Sequence, residues 1–493
     1  MELFGESIPL INGIFLLLAL LLALTFEFVN GFHDTANAVA TVIYTHSLRP
    51  TVAVVWSGIC NLIGVLLSPG AVAFGVVALL PLDLVLNVGA GAGAATVFAM
   101  LISAIIWNLG TWYFGIPASS SHTLVGAILG VGLANSMMAP GHAWGDGVNW
   151  TKAYEIGMSL LISPMVGFVS AALLLLLFKL LVKRPELFTP PDKGKAPPFW
   201  IRSLLILTCT GVSFAHGSND GQKGMGLIML ILIGILPFTF AVDMGTTQAS
   251  INELIAASRA VSVEMEHHPA VNQSKPTNEE LTSYVKTTGQ ITGGTLAALG
   301  SKCRDVESTL AGKKSLKELT GIQRSALRND LYLASEAVAK LLKQDKIPNL
   351  ATKQAAVEFK KRADKLTKFI PEWVKFAVAV ALGFGTMIGW KRIVITLGEK
   401  IGKENLTYAQ GAAAELVAMC TILGADRLGL PVSTTHVLSS GIAGMMAANN
   451  SGLQMRTLQT LLLAWVLTLP VCVLLGAGIF AFVLNSLLYF GIK

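Results

Sequence analysis

Long apolar runs with almost no charge are the feature that most restricts what this chain can fold into. Residues 10–29, for example, contain a single charged side chain, Glu27, and similar runs recur to the end of the chain. Of the 493 residues, 53% are apolar and only 13% are charged. An apolar stretch of about 20 residues crosses the hydrocarbon core of a bilayer as a helix. The sequence therefore predicts an all-α polytopic membrane protein and excludes the soluble globular classes.

The apolar segments predict about ten to twelve spanning or half-spanning helices. The chain begins with Glu2 and Glu6 and shows no early Lys, Arg or small-residue cleavage site, so we interpret the first segment as a retained span. The pattern leaves open whether 199–241 is one broken span or two. The approximate segments are 10–44, 51–80, 92–114, 117–137, 156–182, 199–215, 224–242, 373–390, 408–428, 431–448 and 458–487.

The composition changes between residues 243 and 370. This stretch holds 19 of the 36 Lys and Arg residues and 14 of the 29 Asp and Glu residues. Its apolar side chains recur at helical spacing, for example in 322–342. We therefore expect a small soluble helical insertion in an otherwise membrane-embedded chain. The predicted domains are a first membrane repeat at 1–182, a linker at 183–198, the start of a second repeat at 199–242, the insertion at 243–370 and the remainder of the second repeat at 371–493.

Two short polar stretches are versions of one another. Residues 117–126 read PASSSHTLVG and residues 431–440 read PVSTTHVLSS. Pro followed by hydroxyl residues and an apolar run indicates a helix N-terminus, whose free N–H groups can bind an anion. Three hydroxyls in a row exceed what capping requires, whereas His122 and His436 fit a functional and a structural role equally. The candidate anion ligands are Ser119, Ser120, Ser121, Thr123, Ser433, Thr434 and Thr435.

A second pair of polar motifs lies earlier in each half. Residues 30–37 read NGFHDTAN and residues 216–223 read HGSNDGQK. Helical spacing places Glu27, Asn30, Asp34 and Asn37 on one face, and His216, Asp220 and Lys223 on another. Ionisable groups at membrane depth usually face a cavity or an ion path, although helix-to-helix bonding is the simpler alternative. The candidates for a coupling-ion and substrate path are Glu27, Asn30, His33, Asp34, Asn37, Asn219, Asp220 and Lys223.

Both pairs of motifs occur in the same order in the two halves of the chain. A duplicated pattern of this kind predicts two inverted repeats with broken or re-entrant half-helices, whose N-termini point at an anionic substrate near mid-membrane. The small residues Gly126 and Gly130, like Ser440 and Gly444, have the spacing that allows close helix packing.

At these residues the sequence resembles the inorganic phosphate transporter (Pit) family, in particular its proton-coupled bacterial low-affinity members. The family signature is similar to G-x-N-D-x-x-N-A, and it occurs here as residues 31–38 and 217–224. The resemblance covers both membrane halves outside the insertion. It implies that Asp34, Asn37, Asn219 and Asp220 line the coupling-ion and substrate region. It also implies that the half-helices with hydroxyl residues hold phosphate.

The chain departs from the family signature at two positions. His33 stands where the family usually has Asn, and Lys223 stands where it has the second Asn. A Lys ammonium can take the place of a bound cation and His titrates near neutrality, so both changes favour protons over sodium as the coupling ion. The resemblance further implies that phosphate travels with a proton as a neutral complex with a divalent metal such as Mg²⁺. We expect no enzymatic activity, no cofactor and no dedicated metal site.

The basic residues indicate orientation. Two basic clusters, within 179–202 and within 391–403, favour the cytoplasmic side of the membrane. This orientation places the N-terminus outside. We also favour an outside position for the insertion. We expect a multi-pass protein of the bacterial inner membrane. Its partners are the lipid bilayer, inorganic phosphate, protons and divalent cations, not nucleic acid; a homo-oligomer is left open.

Three other functions are compatible with parts of the pattern. A permease for sulfate or another oxyanion would have the same fold, although an acceptor such as Asp34 favours phosphate, which keeps a proton near neutral pH. The His33-Asp34 dipeptide suggests an HD-type metal phosphohydrolase, but the chain has only eight His residues for the further ligands. The third alternative function is that of a channel. Saturable uptake that collapses with the proton gradient would indicate a symporter, and phosphate release from an ester would indicate an enzyme.

Overall fold

A computed structural model describes residues 1–34, 36–80, 91–138, 144–145, 147–191, 195–266, 277–285, 289–347 and 349–491. The described chain is nearly all helical, and its one sheet is the hairpin β1 (Glu2–Leu3) and β2 (Glu6–Ser7). The prediction of an all-α membrane protein is confirmed. Two compact units are present, which we call the insertion unit (1–16 and 229–370) and the membrane unit (17–80, 91–228 and 371–491).

The described helices fall into two halves of the chain, and an insertion interrupts the second half. The first half consists of α1 (Leu10–Asp34), α2 (Ala36–Tyr44), α3 (Pro50–Leu66), α4 (Ala71–Val77), α5 (Gly91–Tyr113), α6 (Ser120–Met138) and α7 (Trp150–Leu181). The second half begins with α8 (Phe199–Ile235) and is interrupted by α9 (Gln248–Glu266), α10 (Thr277–Val285), α11 (Gly293–Leu310), α12 (Gly321–Lys343) and α13 (Leu350–Thr367). It continues with α14 (Glu372–Met387), α15 (Lys391–Glu399), α16 (Tyr408–Arg427), α17 (Thr434–Ala448) and α18 (Met455–Tyr489).

Six helical segments of the described chain are long and apolar enough to cross a membrane, and up to eight if bent pairs count as single spans. One bent pair is α3 and α4, which meet at 78° across a break where Gly70 adopts a positive φ of 82°. The half-helices α6 and α17 are not among these spans. They begin at Ser120 and Thr434, within the two stretches of Pro and hydroxyl residues at 117–126 and 431–440.

Helix α8 is continuous through the second polar motif, whereas the hydropathy pattern suggested separate segments at 199–215 and 224–242. The polar side chains of the motif interrupt the hydropathy pattern but not the helix, and its glycines let α8 lie directly on its neighbours. A Cβ on Gly217 would lie 2.1 Å from the carbonyl oxygen of Asn61, and one on Gly221 would lie 2.6 Å from Cγ2 of Val65. The polar residues therefore face other helices without a break in the backbone.

Each half-helix packs on the last long helix of the other half. Helix α6 lies against α18, and α17 lies against α7. Glycines make both contacts close, since a Cβ on Gly130 would lie 2.0 Å from the carbonyl oxygen of Val473, and one on Gly444 would lie 2.2 Å from that of Phe168. Small residues at such contacts let helix backbones approach in the apolar phase. The exchange of partners ties the two repeats together.

The insertion unit has its own apolar core. Val261 of α9, Leu299 of α11, Leu331 of α12 and Phe359 of α13 are all fully buried in it. On α13, the carboxyl group of Asp364 forms ion pairs with Lys368 at 3.0 Å and with Lys360, and it accepts a hydrogen bond from Ser335 at 2.7 Å. Burial favours its neutral form, but the two ammonium groups and the hydroxyl lower the pKa of Asp364 below its usual value.

We expect Gly130→Ala to destabilise the membrane unit, because the added methyl group would overlap the α18 backbone. Overpacking of this kind costs about 1–3 kcal/mol. Gly110→Ala on α5 is the matched control, since a Cβ there meets no atom within 4 Å and the helix gains about 0.5–1 kcal/mol. Thermal unfolding of the detergent-solubilised protein should give a lower Tm for Gly130→Ala only. Equal Tm values for both variants would contradict the close contact.

We expect Asp364→Asn to destabilise the insertion unit by about 1–3 kcal/mol at neutral pH. Because the folded-state pKa of Asp364 is lowered, its contribution is fully present above the unfolded value of about 3.9 and is lost as the pH falls through the folded value. The rates of amide hydrogen exchange in α12 and α13 should therefore differ between full-length Asp364→Asn and the unmodified protein at pH 7. In acid the two sets of rates should become equal. A difference that persists in acid would exclude this ionisation as its cause.

Candidate functional site

Helices α1 and α8 bring the two early motifs together inside the membrane unit. Asp34 and Asp220 are both buried, and His216 Nε2 lies 3.7 Å from Asp34 Oδ2 and 3.6 Å from Asp220 Oδ2. The hydroxyl of Ser120 spans the same two carboxylates, at 3.1 Å from Asp34 Oδ2 and 3.4 Å from Asp220 Oδ2. The two motif aspartates, which are far apart in sequence, therefore share one hydroxyl and one imidazole.

The N-termini of both half-helices reach Asp34. Ser120 is the first residue of α6, and Thr435 is the second residue of α17 and donates a hydrogen bond to Asp34 Oδ1. The first N–H groups of a helix have no partner within the helix and attract negative charge. The carboxylate of Asp34 thus lies where two anion-attracting helix ends converge, and the protein supplies an anion of its own at that point.

A buried lysine balances the second carboxylate. Lys223 Nζ lies 2.7 Å from Asp220 Oδ2, and the Lys223 side chain is one of the largest that are fully buried. His33 lies beside Asp34, with Nδ1 at 3.5 Å from Asp34 Oδ1 and Nε2 at 3.1 Å from Thr111 Oγ1. Thus both residues that depart from the family signature lie beside a motif aspartate.

Glu27 and Asn30 form a separate contact on α1. Both are fully buried, and Asn30 Nδ2 lies 3.4 Å from Glu27 Oε2. Asn219 donates from Nδ2 to the carbonyl oxygen of Leu430 at 3.3 Å, next to the start of the second Pro-hydroxyl stretch. The side chain of Asn37 lies outside the described part of the chain.

The other predicted anion ligands mainly hold helices in place. Ser119 and Ser433 accept hydrogen bonds from the backbone N–H groups three residues later, at 3.2 and 3.1 Å, and so cap α6 and α17. The remaining hydroxyls are all buried: Ser121 donates to the Val432 carbonyl at 2.7 Å, Thr123 donates to Asn108 Oδ1 at 3.0 Å, and Thr434 begins α17. Phosphate binding by these hydroxyls stays a prediction.

His122 and His436 lie against one another at a ring separation of 4.6 Å, and His436 stacks on Trp465 at 4.1 Å. The three rings form part of the wall of a cavity of about 700 Å³ between α7 and α18, whose other walls are largely apolar. The two histidines therefore lie beside the half-helix ends but do not contact the aspartates within hydrogen-bonding distance.

Several residues of this network were missed by the sequence analysis. Asn61 Oδ1 lies 2.8 Å from His216 Nδ1. Asn108 accepts a hydrogen bond from Thr123, and Thr111 Oγ1 lies 3.1 Å from His33 Nε2. Asp426 accepts from Ser218 at 2.6 Å, which fastens α8 to the end of α16. Polar residues isolated within apolar spans were the available signal, because such residues are costly unless they find a partner.

The ligand atoms of Asp34, His216 and Asp220 all lie within 4.8 Å of one another, a spacing at which a cation could be held. Lys223 already supplies a positive charge at Asp220. The expectation that the protein has no dedicated metal site stays a prediction.

A buried cluster of charged side chains, enclosed by apolar spans and approached by two half-helix N-termini, defines a membrane transporter. Residues 30–476 match the phosphate transporter family, and the chain belongs to that family. It is a transporter and not an enzyme.

Relatives from different bacteria match over nearly their whole length. The chain is 44% identical to the low-affinity inorganic phosphate transporter PitA of Escherichia coli (strain K12), over 96% of this chain and 97% of the relative. It is 29% identical to a probable low-affinity inorganic phosphate transporter of Bacillus subtilis (strain 168), over 96% and 97%. A solved structure of a sodium-dependent phosphate transporter has the same fold, with a TM-score of 0.52 and 20% identity over 95% of this chain and 98% of that one.

We expect Ser120→Ala and Thr435→Ala each to weaken phosphate binding about threefold to a hundredfold, because each removes a hydroxyl donor worth about 0.5–3 kcal/mol where the anion-attracting helix ends meet. Ser439→Ala is the matched control, since that buried hydroxyl donates only to the backbone of its own helix, at 2.5 Å to Thr435 and 3.4 Å to His436. Calorimetric titration with phosphate at equal protein abundance measures the effect. Unchanged affinity in both test variants would remove these side chains from the site.

Proposed function

We propose that this protein takes up inorganic phosphate with low affinity by symport with protons, and that phosphate travels as a neutral complex with a divalent metal ion. The family and the names of its relatives support phosphate as the substrate. The bacterial origin of these relatives supports a place in the bacterial inner membrane, with the N-terminus outside as the basic residues suggest.

The buried ion pair between Lys223 and Asp220 is the observation that favours protons over sodium as the coupling ion. A covalently attached ammonium group cannot leave with the substrate, and at 2.7 Å it occupies the side of the carboxylate where a hard cation such as Na⁺ would bind. A proton needs no vacant coordination shell and can be carried by a carboxyl or imidazole group. The exchangeable cation of this cluster is therefore the proton.

Phosphate takes the position at which the ends of α6 and α17 converge. Its oxygen atoms accept hydrogen bonds from the Ser120 and Thr435 hydroxyls and from the free N–H groups of the half-helices. Because Asp34 already places a negative charge there, a bare phosphate dianion would be repelled by it and by Asp220. A bound Mg²⁺ removes the net charge of the substrate and so lowers this repulsion.

Uptake of radiolabelled phosphate by proteoliposomes tests this proposal. We expect accumulation with an imposed pH gradient and Mg²⁺, little accumulation without Mg²⁺, and none from a sodium gradient alone. Lys223→Asn, which restores the family residue, should reduce proton-driven uptake and allow some sodium dependence. Lys152→Asn is the control, since Lys152 is a partly exposed residue paired with Glu155 at 2.8 Å. A sodium gradient that drives the unmodified protein as well as a pH gradient does would show that our interpretation of Lys223 is wrong.

A further inference from the structure

Glu27 differs from Asp34 and Asp220 in that, among the described residues, no cationic group lies within ion-pair distance of its carboxyl oxygens. It is fully buried on α1, and no Lys, Arg or His nitrogen of the described residues lies within 4.0 Å of its carboxyl oxygens. Among the described residues, its Oε2 atom lies 3.4 Å from the amide nitrogen of Asn30, and its carboxyl group lies against the backbone of Gly224 on α8. Burial of a carboxylate without a paired charge is costly, whereas the neutral acid is tolerated.

Asp34 and Asp220, in contrast to Glu27, have several polar or charged partners. Asp34 accepts hydrogen bonds from Ser120 and Thr435 and lies beside two imidazole rings, and Asp220 is paired with Lys223. Each aspartate therefore has a hydroxyl donor, an imidazole ring or an ammonium group against its carboxyl oxygens. A proton that is to be loaded and released during transport is therefore better accommodated by Glu27.

The amide of Asn30 can serve both protonation states of Glu27. With its nitrogen towards Glu27 it donates to the carboxylate, and with its oxygen in that place it accepts from the carboxylic acid. The Asn30 Oδ1 atom is buried and has no hydrogen-bond partner among the described residues, so a reorientation breaks no hydrogen bond on that side. Asn30 is thus suited to a neighbour whose protonation changes.

Gly224 brings the carboxyl group of Glu27 against α8. A Cβ on Gly224 would lie 2.3 Å from Cγ of Glu27 and 2.6 Å from Oε1, so only glycine permits this approach. The charged groups that face Glu27 from α8 are Lys223 and Asp220, and its polar neighbour on α1 is Asn30. Lys223, which adjoins Gly224 in sequence, is paired with Asp220.

We propose that Glu27 carries the proton that crosses the membrane with phosphate, an inference that rests on the proton symport proposed above. In the outward-facing state, an O–H bond of a hydronium ion breaks and its proton forms an O–H bond at a carboxylate oxygen of Glu27, which leaves water behind. In the inward-facing state, that O–H bond breaks and the proton passes to water on the other side. The carboxylate left behind is attracted by the Lys223 ammonium on α8 until the next proton arrives.

Glu27→Gln tests this inference because glutamine imitates the neutral acid but cannot release a proton. In full-length protein reconstituted with Mg²⁺ inside and out, exchange of radiolabelled for unlabelled phosphate without a gradient should stay within about twofold of the unmodified protein, since the Asn30 contact is kept. Accumulation driven by a pH gradient should fall to the level seen without a gradient. Glu155→Gln, the same change in a partly exposed ion pair, should leave both activities unchanged.

Two outcomes with Glu27→Gln would overturn the inference. One is gradient-driven accumulation that persists in the variant. The other is loss of both exchange and accumulation at normal protein abundance, which would place Glu27 in phosphate binding.

Glu27→Asp gives a second readout if the Gln variant does not fold. It shortens the side chain by one CH₂ group and withdraws the carboxyl from Gly224, so the pH dependence of uptake should shift, and an unchanged profile would exclude Glu27 as the proton carrier. If the unmodified protein exchanges phosphate but ignores a pH gradient, the proposed symport itself is wrong.

Discussion

The buried charge cluster around Asp34 is the constraint on which the rest of the membrane unit depends. Removing an ionised carboxylate from water costs several kcal/mol unless partners replace the lost solvation. Asp34 receives these partners from α6, α8 and α17 as well as its own helix, and so from both halves of the chain. The two repeats therefore cannot separate without exposing or stranding a buried charge. Local helix stability alone would not enforce this arrangement.

Close helix packing is what allows the cluster to form. Glycines at 217, 221 and 224 let α8 lie directly against α3 and α1, and Gly130 and Gly444 bring the half-helices against the long helices of the opposite repeat. In an apolar phase the hydrophobic effect does not hold helices together, so such contacts and buried polar bonds must do so. The same packing that stabilises the unit thus positions His216, Asp220 and Lys223 beside Asp34.

The placement of Asp34 also bears on the strength of substrate binding. Its carboxylate occupies the hydroxyl donors of Ser120 and Thr435, which are the donors proposed for phosphate. The negative charge of Asp34 also repels a substrate anion that approaches these donors. Binding of phosphate at this position is therefore expected to be weak, in keeping with the low affinity named for the relatives of this chain.

The sequence by itself determined the class of the protein, the duplication and the residues of the four polar motifs. Hydropathy and motif spacing are local properties, and so the long uncharged runs, the charged insertion and the starts of α6 and α17 could be located without a structure. The tertiary structure decided which of those residues meet. Of the seven predicted hydroxyl ligands, only Ser120 and Thr435 reach a carboxylate, while Ser119 and Ser433 serve as caps. Hydrogen bonds extend only about 3 Å, and successive residues of a helix point in directions about 100° apart. The contacts therefore depend on which faces of distant helices meet. The continuity of α8 and the position of Glu27 against Gly224 were likewise decided by the tertiary structure.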